Sequence, residues 1–311
     1  MAGAQFGEWA YLQEESEVIS CAYSPDGKAC AIGLHNGTIR VYATSNWEKM
    51  RTLTGHTGYV RSVVYSPSGS QLASGSSDKT VRLWDAQSGA AGHTLTGHTA
   101  NVYSVVYSPS GSQLASGSED NTVRLWDAQS GEAVHTLTGH TDWVNSVVYS
   151  PSGSQLASGS SDNTVRLWDA QSGAAGHTLE GHTSSVLSVV YSPSGAQLAS
   201  GSSDETVRLW DAHSGAAGHT LRGHTSDVLS VVYSPSGAQI ASSGGSYDKT
   251  VRLWDAHSGA AVHTLTGHTA TVYSVVYSPS GSQLASGSRD LTVRLWDAHS
   301  GAAGHTLTGH T

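Results

Sequence analysis

The sequence predicts an all-β fold in which seven four-stranded antiparallel sheets stack around a ring. Three observations carry this prediction. Gly-His-Thr recurs at Gly55, Gly97, Gly139, Gly181, Gly223, Gly267 and Gly309; five of the six intervals are 42 residues, and the one from Gly223 is 44. Each interval repeats SVVYSPSG, then LAS or IAS, then an Asp followed two residues later by TVRLWDA. The apolar runs are short, and β-branched and aromatic residues dominate them. A period of this length marks a unit that cannot bury its own core and must stack on its neighbours.

The elements of one unit follow from Gly55 to Thr96. Val60 to Tyr65 (VRSVVY) reads as a first strand. Ser66-Pro67-Ser68-Gly69 is a turn, because Pro fixes φ and Gly tolerates positive φ. Gln71 to Ser74 begins a second strand, and Ser77-Asp78-Lys79 turns into a third, Thr80 to Trp84. Asp85 to Gly89 turns again, and His93 to Thr96 is a fourth. The run SVVYS lacks strict polar/apolar alternation, as expected for a strand covered on both faces.

Gly55-His56 followed by Trp84-Asp85 resembles the WD-repeat β-propeller family. The pairing recurs as His98 with Trp126-Asp127, His140 with Trp168-Asp169, His182 with Trp210-Asp211, His224 with Trp254-Asp255 and His268 with Trp296-Asp297. The resemblance covers almost the whole chain and implies a seven-bladed β-propeller of four-stranded antiparallel blades. The near-identity of the units is similar to the repeats at the C-terminal end of fungal NACHT–WD-repeat receptor-like proteins, here without a NACHT-like phosphate-binding loop. Residues 1–311 form one domain in this reading. The first blade, about 14–53, is degenerate: Val18 to Ser24, Ala29 to Gly33 and Thr38 to Tyr42, with Tyr42 at the Trp position and Asn36 at the turn Asp. Two segments compete for the last blade's outer strand, Gln5 to Gln13 and Ala302 to Thr308, and the sequence leaves the choice open.

Composition narrows the function classes. The formal charge is −9 and only 13% of residues are charged, with no Lys/Arg run, so no nucleic-acid partner is expected. Residues 1–15 have no basic n-region, and the chain has no long apolar stretch, so no membrane association is expected. A cytoplasmic monomer without cofactor is the expectation. Cys21 and Cys30 align with the core-type positions Val63 and Leu72 and read as two buried thiols.

Each regular unit holds a His, a Ser and an Asp beside its Trp: His56, Ser74, Asp78 and Trp84; His98, Ser116, Asp120 and Trp126; His140, Ser158, Asp162 and Trp168; His182, Ser200, Asp204 and Trp210; His224, Ser242, Asp248 and Trp254; His268, Ser286, Asp290 and Trp296. Ser-His-Asp sets invite a nucleophile reading, but six copies argue for scaffold. The family resemblance implies a buried chain from Asp to His to Ser to the indole N–H. His suits that role because one ring nitrogen donates while the other accepts. The first blade has Glu14, Ile32, Asn36 and Tyr42 at these positions, so the same chain is not expected there. A second His series (His93, His135, His177, His219, His263, His305) is spread around the rim by the repeat and does not read as a metal site. The Arg of each VRLWD reads as a solvated strand residue.

Selectivity must lie where the copies differ. Variation concentrates after Gly-His-Thr, after the next Val and beside the turn Asp, at the same end of every blade. The candidate binding residues are Tyr59, Arg61, Asn101, Tyr103, Glu119, Trp143, Asn145, Leu187, Asp227, Leu229, Tyr247, Tyr273 and Arg289. Their aromatic and Arg content is that of binding hot spots. In WD-repeat proteins this end is the usual partner-binding face. The expected function is a non-catalytic scaffold binding a protein or peptide there. The alternative is a structural or engineered repeat scaffold with no native ligand; an enzyme working in the central channel ranks third, because no unrepeated acid, base or nucleophile set stands out.

Overall fold

The computed structural model describes residues 14–308, and these fold into seven four-stranded antiparallel blades. In blade one the strands are β1 (Val18–Tyr23), β2 (Ala29–Leu34), β3 (Ile39–Ala43) and β4 (Lys49–Leu53). In blade two they are β5 (Val60–Tyr65), β6 (Gln71–Ser76), β7 (Val81–Asp85) and β8 (Ala91–Leu95). In every blade hydrogen-bonded neighbours are also chain neighbours, so each sheet is a simple meander. The first strands surround the channel and the mostly exposed fourth strands form the rim. Segment Ala303–Thr308 pairs with Thr292–Asp297 as the fourth strand of blade seven. The competing segment, residues 5–13, lies outside the described residues.

The core lies between blades. Ala73, Val81, Leu83 and Leu95 of blade two face Val102, Val105, Tyr107, Leu114 and Trp126 of blade three in one buried cluster. The same residue types repeat in the next four junctions. A blade is thus apolar on both faces, which is why its first strand shows no alternation. Each of these five junctions also carries a polar stitch; between blades two and three, Ser62 Oγ accepts from the Val105 amide at 3.2 Å.

Two sequence expectations are corrected here. Cys30 is buried, but Cys21 is exposed. Its counterpart Val63 is covered by blade one, whereas Cys21 faces the junction of blades seven and one, where the described residues share no core cluster. The Arg series is not simply solvated. A Cβ placed on Gly55 would meet Arg82 Nη1 at 2.8 Å and the Trp84 ring at 3.2 Å, so the guanidinium and indole close over the glycine. Arg124 and Arg208 lie over Trp126 and Trp210 with 5.9 and 6.0 Å to the ring centroids. That close approach explains why the residue before each network His is Gly.

Candidate binding face

The loop entering each first strand is tied to the turn leaving the second strand, and this tie builds the face. In blade two His56 Nδ1 lies 2.7 Å from Asp78 Oδ2, and His56 Nε2 lies 2.8 Å from Ser74 Oγ. Trp84 Nε1–H donates to Ser74 Oγ at 2.9 Å. A neutral imidazole with its proton on Nδ1 satisfies all three contacts, with the Ser hydroxyl donating to Nε2 and the indole donating to the Ser oxygen. Asp78 also accepts from the Thr57 and Thr80 amides, each at 3.0 Å. Burial would raise the Asp78 carboxyl, but hydrogen bonds from His56 and Thr80 outweigh it and hold the group well below the usual carboxylate range. Asp120, Asp162, Asp204, Asp248 and Asp290 are lowered in the same way.

The other five sets have the same geometry. His98 meets Asp120 at 2.8 Å and Ser116 at 2.7 Å, and Trp126 meets Ser116 at 2.9 Å. His140 meets Asp162 and Ser158, each at 2.7 Å, and His182 meets Asp204 and Ser200, each at 2.8 Å. His224 meets Asp248 at the longer 3.1 Å and Ser242 at 2.7 Å, in the blade with the two-residue insertion. His268 meets Asp290 at 2.7 Å and Ser286 at 2.8 Å. Trp168, Trp210, Trp254 and Trp296 donate to their serines at 2.8–2.9 Å. Every Ser of the six is at most 1% exposed. The hydroxyls thus have no open side on which an acyl group could sit.

Blade one has its own tie, which was not foreseen. Glu14 Oε2 pairs with Arg40 Nη1 at 2.7 Å, and Glu14 also accepts from the Tyr42 hydroxyl. A carboxylate on the entering loop thus replaces the His, reaching β3 directly. Burial and the Glu14 carboxylate push the Tyr42 hydroxyl up to about 12.

On this frame the variable residues form two groups. The first is a continuous arc over blades one to four. The Tyr59 ring stacks on His35 with centroids 3.5 Å apart, and Arg61 lies 5.2 Å from the Tyr59 centroid and 5.6 Å from that of Tyr103. Tyr103 meets Trp143 at 6.0 Å. Ser77 Oγ accepts from Arg61 Nε at 2.9 Å, which holds the guanidinium between the two rings. Trp143 is 44% exposed, so the arc ends in an open indole. His35 belongs to this arc and was missed by sequence reasoning, because the variable positions were compared only among the six regular blades; its place beside the turn residue Asn36, aligned with Ser77 and Glu119, is the signal that could have found it.

The second group lies on blades six and seven. Tyr247, on the inserted loop, is 89% exposed and Tyr273 is 55% exposed. Arg289 and Asp227 are exposed. Leu187 on blade five and Leu229 on blade six are half-buried, as are Asn101 and Glu119 on blade three. Asn145 is committed to structure: its Nδ2 donates to Ser161 Oγ and to the Val186 carbonyl, each at 3.0 Å, bridging blades four and five.

A cavity of about 640 Å³ lies at the opposite mouth. All seven blades line it, six with Val, Tyr, Ser and Pro, such as Val106, Tyr107, Ser108 and Pro109, and blade one with Ala22, Tyr23 and Pro25. Sixfold repetition gives this mouth little to discriminate with. His135 Nε2 and His263 Nε2 of the rim series lie 3.0 and 2.9 Å from the Gln171 and His299 carbonyls of the next blade. Among the described residues no group of three or more His, Cys, Asp or Glu is placed to hold a metal, and no helix is long and apolar enough to cross a membrane.

Comparison with known proteins agrees with this architecture. The family model "WD domain, G-beta repeat" matches residues 10–43, 47–85, 89–127, 131–169, 173–211, 215–255 and 259–297. Among curated proteins, the ciliary WD repeat-containing protein ctxp80 of Euplotoides octocarinatus is 38% identical over 53 residues, covering 17% of this chain and 7% of that protein. The periodic tryptophan protein 2 homolog of Dictyostelium discoideum is 41% identical over 44 residues, 14% of this chain and 5% of its own length. The chain therefore aligns with less than a tenth of either relative.

Proposed function

Because the chain belongs to the WD-repeat family, whose propellers generally serve as protein-interaction scaffolds, we propose that it is a non-catalytic, cytoplasmic, monomeric single-domain scaffold that binds a protein or peptide on its variable face. The observation that carries this reading is the arc His35–Tyr59–Arg61–Tyr103–Trp143. Its members come from four blades, and they differ where the framework around them repeats. Aromatic rings and a pre-oriented guanidinium offer contact area at low entropic cost, as at interface hot spots. Tyr247, Tyr273 and Arg289 provide a second contact region across the channel mouth.

The buried networks support the face without taking part in contact. A loop fixed by His, Ser, Asp and Trp loses little freedom on binding, so more of the contact energy appears as affinity. The experiment is selection of peptides from a random display library against the full chain, followed by calorimetry. The triple variant Tyr59→Ala, Trp143→Ala, Tyr273→Ala should weaken the selected peptides at least about tenfold, the effect of one lost hot-spot contact. His135→Ala on the rim should leave affinity unchanged. Equal affinity for the triple variant and the parent would refute the assignment of this face.

A further inference from the structure

The junction of blades seven and one differs from the other six. Blade seven has the receiving half of a regular junction, residue for residue: Ala285, Val293, Leu295 and Leu307 stand where blade two has Ala73, Val81, Leu83 and Leu95. In blade two these four are at most 2% exposed. In blade seven Leu307 is 43% exposed and the neighbouring Val276 is 54% exposed, while Val293 and Leu295 are only half-buried. The glycines report the same difference. A Cβ on Gly75, Gly117, Gly159 or Gly201 would meet a valine methyl of the next blade at 2.7 Å, but on Gly287 it would meet only Ser274 Oγ.

Blade one does not offer the regular complement. Cys21, Cys30 and Tyr42 stand where blade three has Val105, Leu114 and Trp126. Cys30 and Tyr42 instead pack with Ile32 and Leu34 of their own blade. Val18 and Tyr23, on the strand nearest blade seven, are 48% and 58% exposed. Among the described residues, no core cluster spans blades seven and one.

We propose that the outer face of blade seven is a docking surface for one further regular blade of this same repeat, presented by another stretch of polypeptide. The occupant's chemistry is defined by this molecule. In each of the five junctions from blade two to blade seven, a Val-Val-Tyr-Leu/Ile-Trp surface fills a receiving half of the kind that, among the described residues, blade seven leaves open. A folded second copy of the chain does not qualify, because its six regular surfaces are already used within its own ring. The partner carries an unpaired repeat with Val, Tyr, Leu and Trp at the positions of Val105, Tyr107, Leu114 and Trp126. The surface is independent of the variable face, so either assignment can fail without the other.

The test appends a copy of residues 100–141 after Thr311 of the full chain and compares it with the parent by hydrogen exchange and thermal unfolding. In the extended protein, amides of Val272–Tyr277 and Thr292–Asp297 should exchange at least about tenfold more slowly, reaching the rates of the matching strands in blade four. Leu307→Lys should leave the parent's unfolding midpoint unchanged and lower that of the extended protein, whereas Leu179→Lys, at a closed junction, should lower both. Unchanged exchange in the extended protein would overturn the proposal. So would a parent already destabilised by Leu307→Lys as strongly as by Leu179→Lys, since blade one or residues 1–13 would then cover that face.

Discussion

Replacing Ser116 by Ala removes a single oxygen that serves two buried partners. Trp126 Nε1–H loses its acceptor at 2.9 Å, and His98 Nε2 loses its donor at 2.7 Å. Ser116 is fully buried, so water has no ready access to either orphan. Each unpaired buried group costs about 1–3 kcal/mol, so the substitution should cost about 2–4 kcal/mol, toward the lower half of the summed range because the site relaxes. Trp126→Phe removes one of the orphans in advance. In that background Ser116→Ala should cost about 1–3 kcal/mol less, the coupling expected for directly bonded neighbours. The assay is urea unfolding of the four proteins of the cycle, read together with hydrogen exchange in blade three, because repeat arrays can lose global cooperativity. Additive costs, or a Ser116→Ala change within about 0.5 kcal/mol of neutral, would refute the shared-oxygen account of the network.

Other expectations follow from the same geometry. The network Asp carboxyls are lowered by folding from an ordinary value of 3.8, so their stabilisation is complete above that value and is lost progressively as pH falls from it toward the lower folded value; the thermal midpoint should drop below about pH 4, and Asp120→Asn should make that slope shallower. Burial also lowers His182 from 6.5 despite the opposing Asp204 carboxylate, so the unfolded chain takes up that proton first and a smaller loss should begin below about pH 6.5, absent in His182→Gln. Leu291 occupies a left-handed turn position with φ of 65° and is 50% exposed; Leu291→Gly should raise stability by about 1 kcal/mol in urea unfolding, where the same change at an ordinary turn position should lower it. Glu14→Ala should cost about 3 kcal/mol by leaving half-buried Arg40 with, among the described residues, only the exposed Glu15 carboxylate, 3.8 Å away, and the Tyr42 hydroxyl without its acceptor, whereas Asp26→Ala, at an exposed pair, should change unfolding by less than about 1 kcal/mol.

The four-stranded unit was legible because its signals are local. The apolar runs, the Ser-Pro-Ser-Gly turn and the Asp turn each specify their own backbone, and six copies state the same message. Strand ends moved by one or two residues: the third strand of blade two begins at Val81 rather than Thr80, and its fourth at Ala91 rather than His93. The network residues were nameable because each pairs a strand position with a loop position at a fixed separation. What the repeat could not show was anything that breaks it. The Glu14–Arg40–Tyr42 tie and the stacking of His35 on Tyr59 lie in or against the degenerate blade, whose positions align with the repeat but whose side chains have no second copy to show what they bond. Cys21 was misread by the same route: its aligned neighbours are buried by a preceding blade that, at this one junction, does not close over it. Closure itself depends on the rotation accumulated over seven blades, a global quantity that no single period encodes.

The most direct test of the central claim, that a repeated framework displays an irregular recognition surface, is a hydrogen-exchange footprint of the full chain bound to a library-selected peptide. Slowed exchange should fall on the entering loops and second turns near Tyr59, Tyr103, Trp143 and Tyr273, with the Ser-Pro-Ser-Gly turns at the other mouth unchanged. Protection confined to those turns, or spread equally over all seven blades, would contradict it.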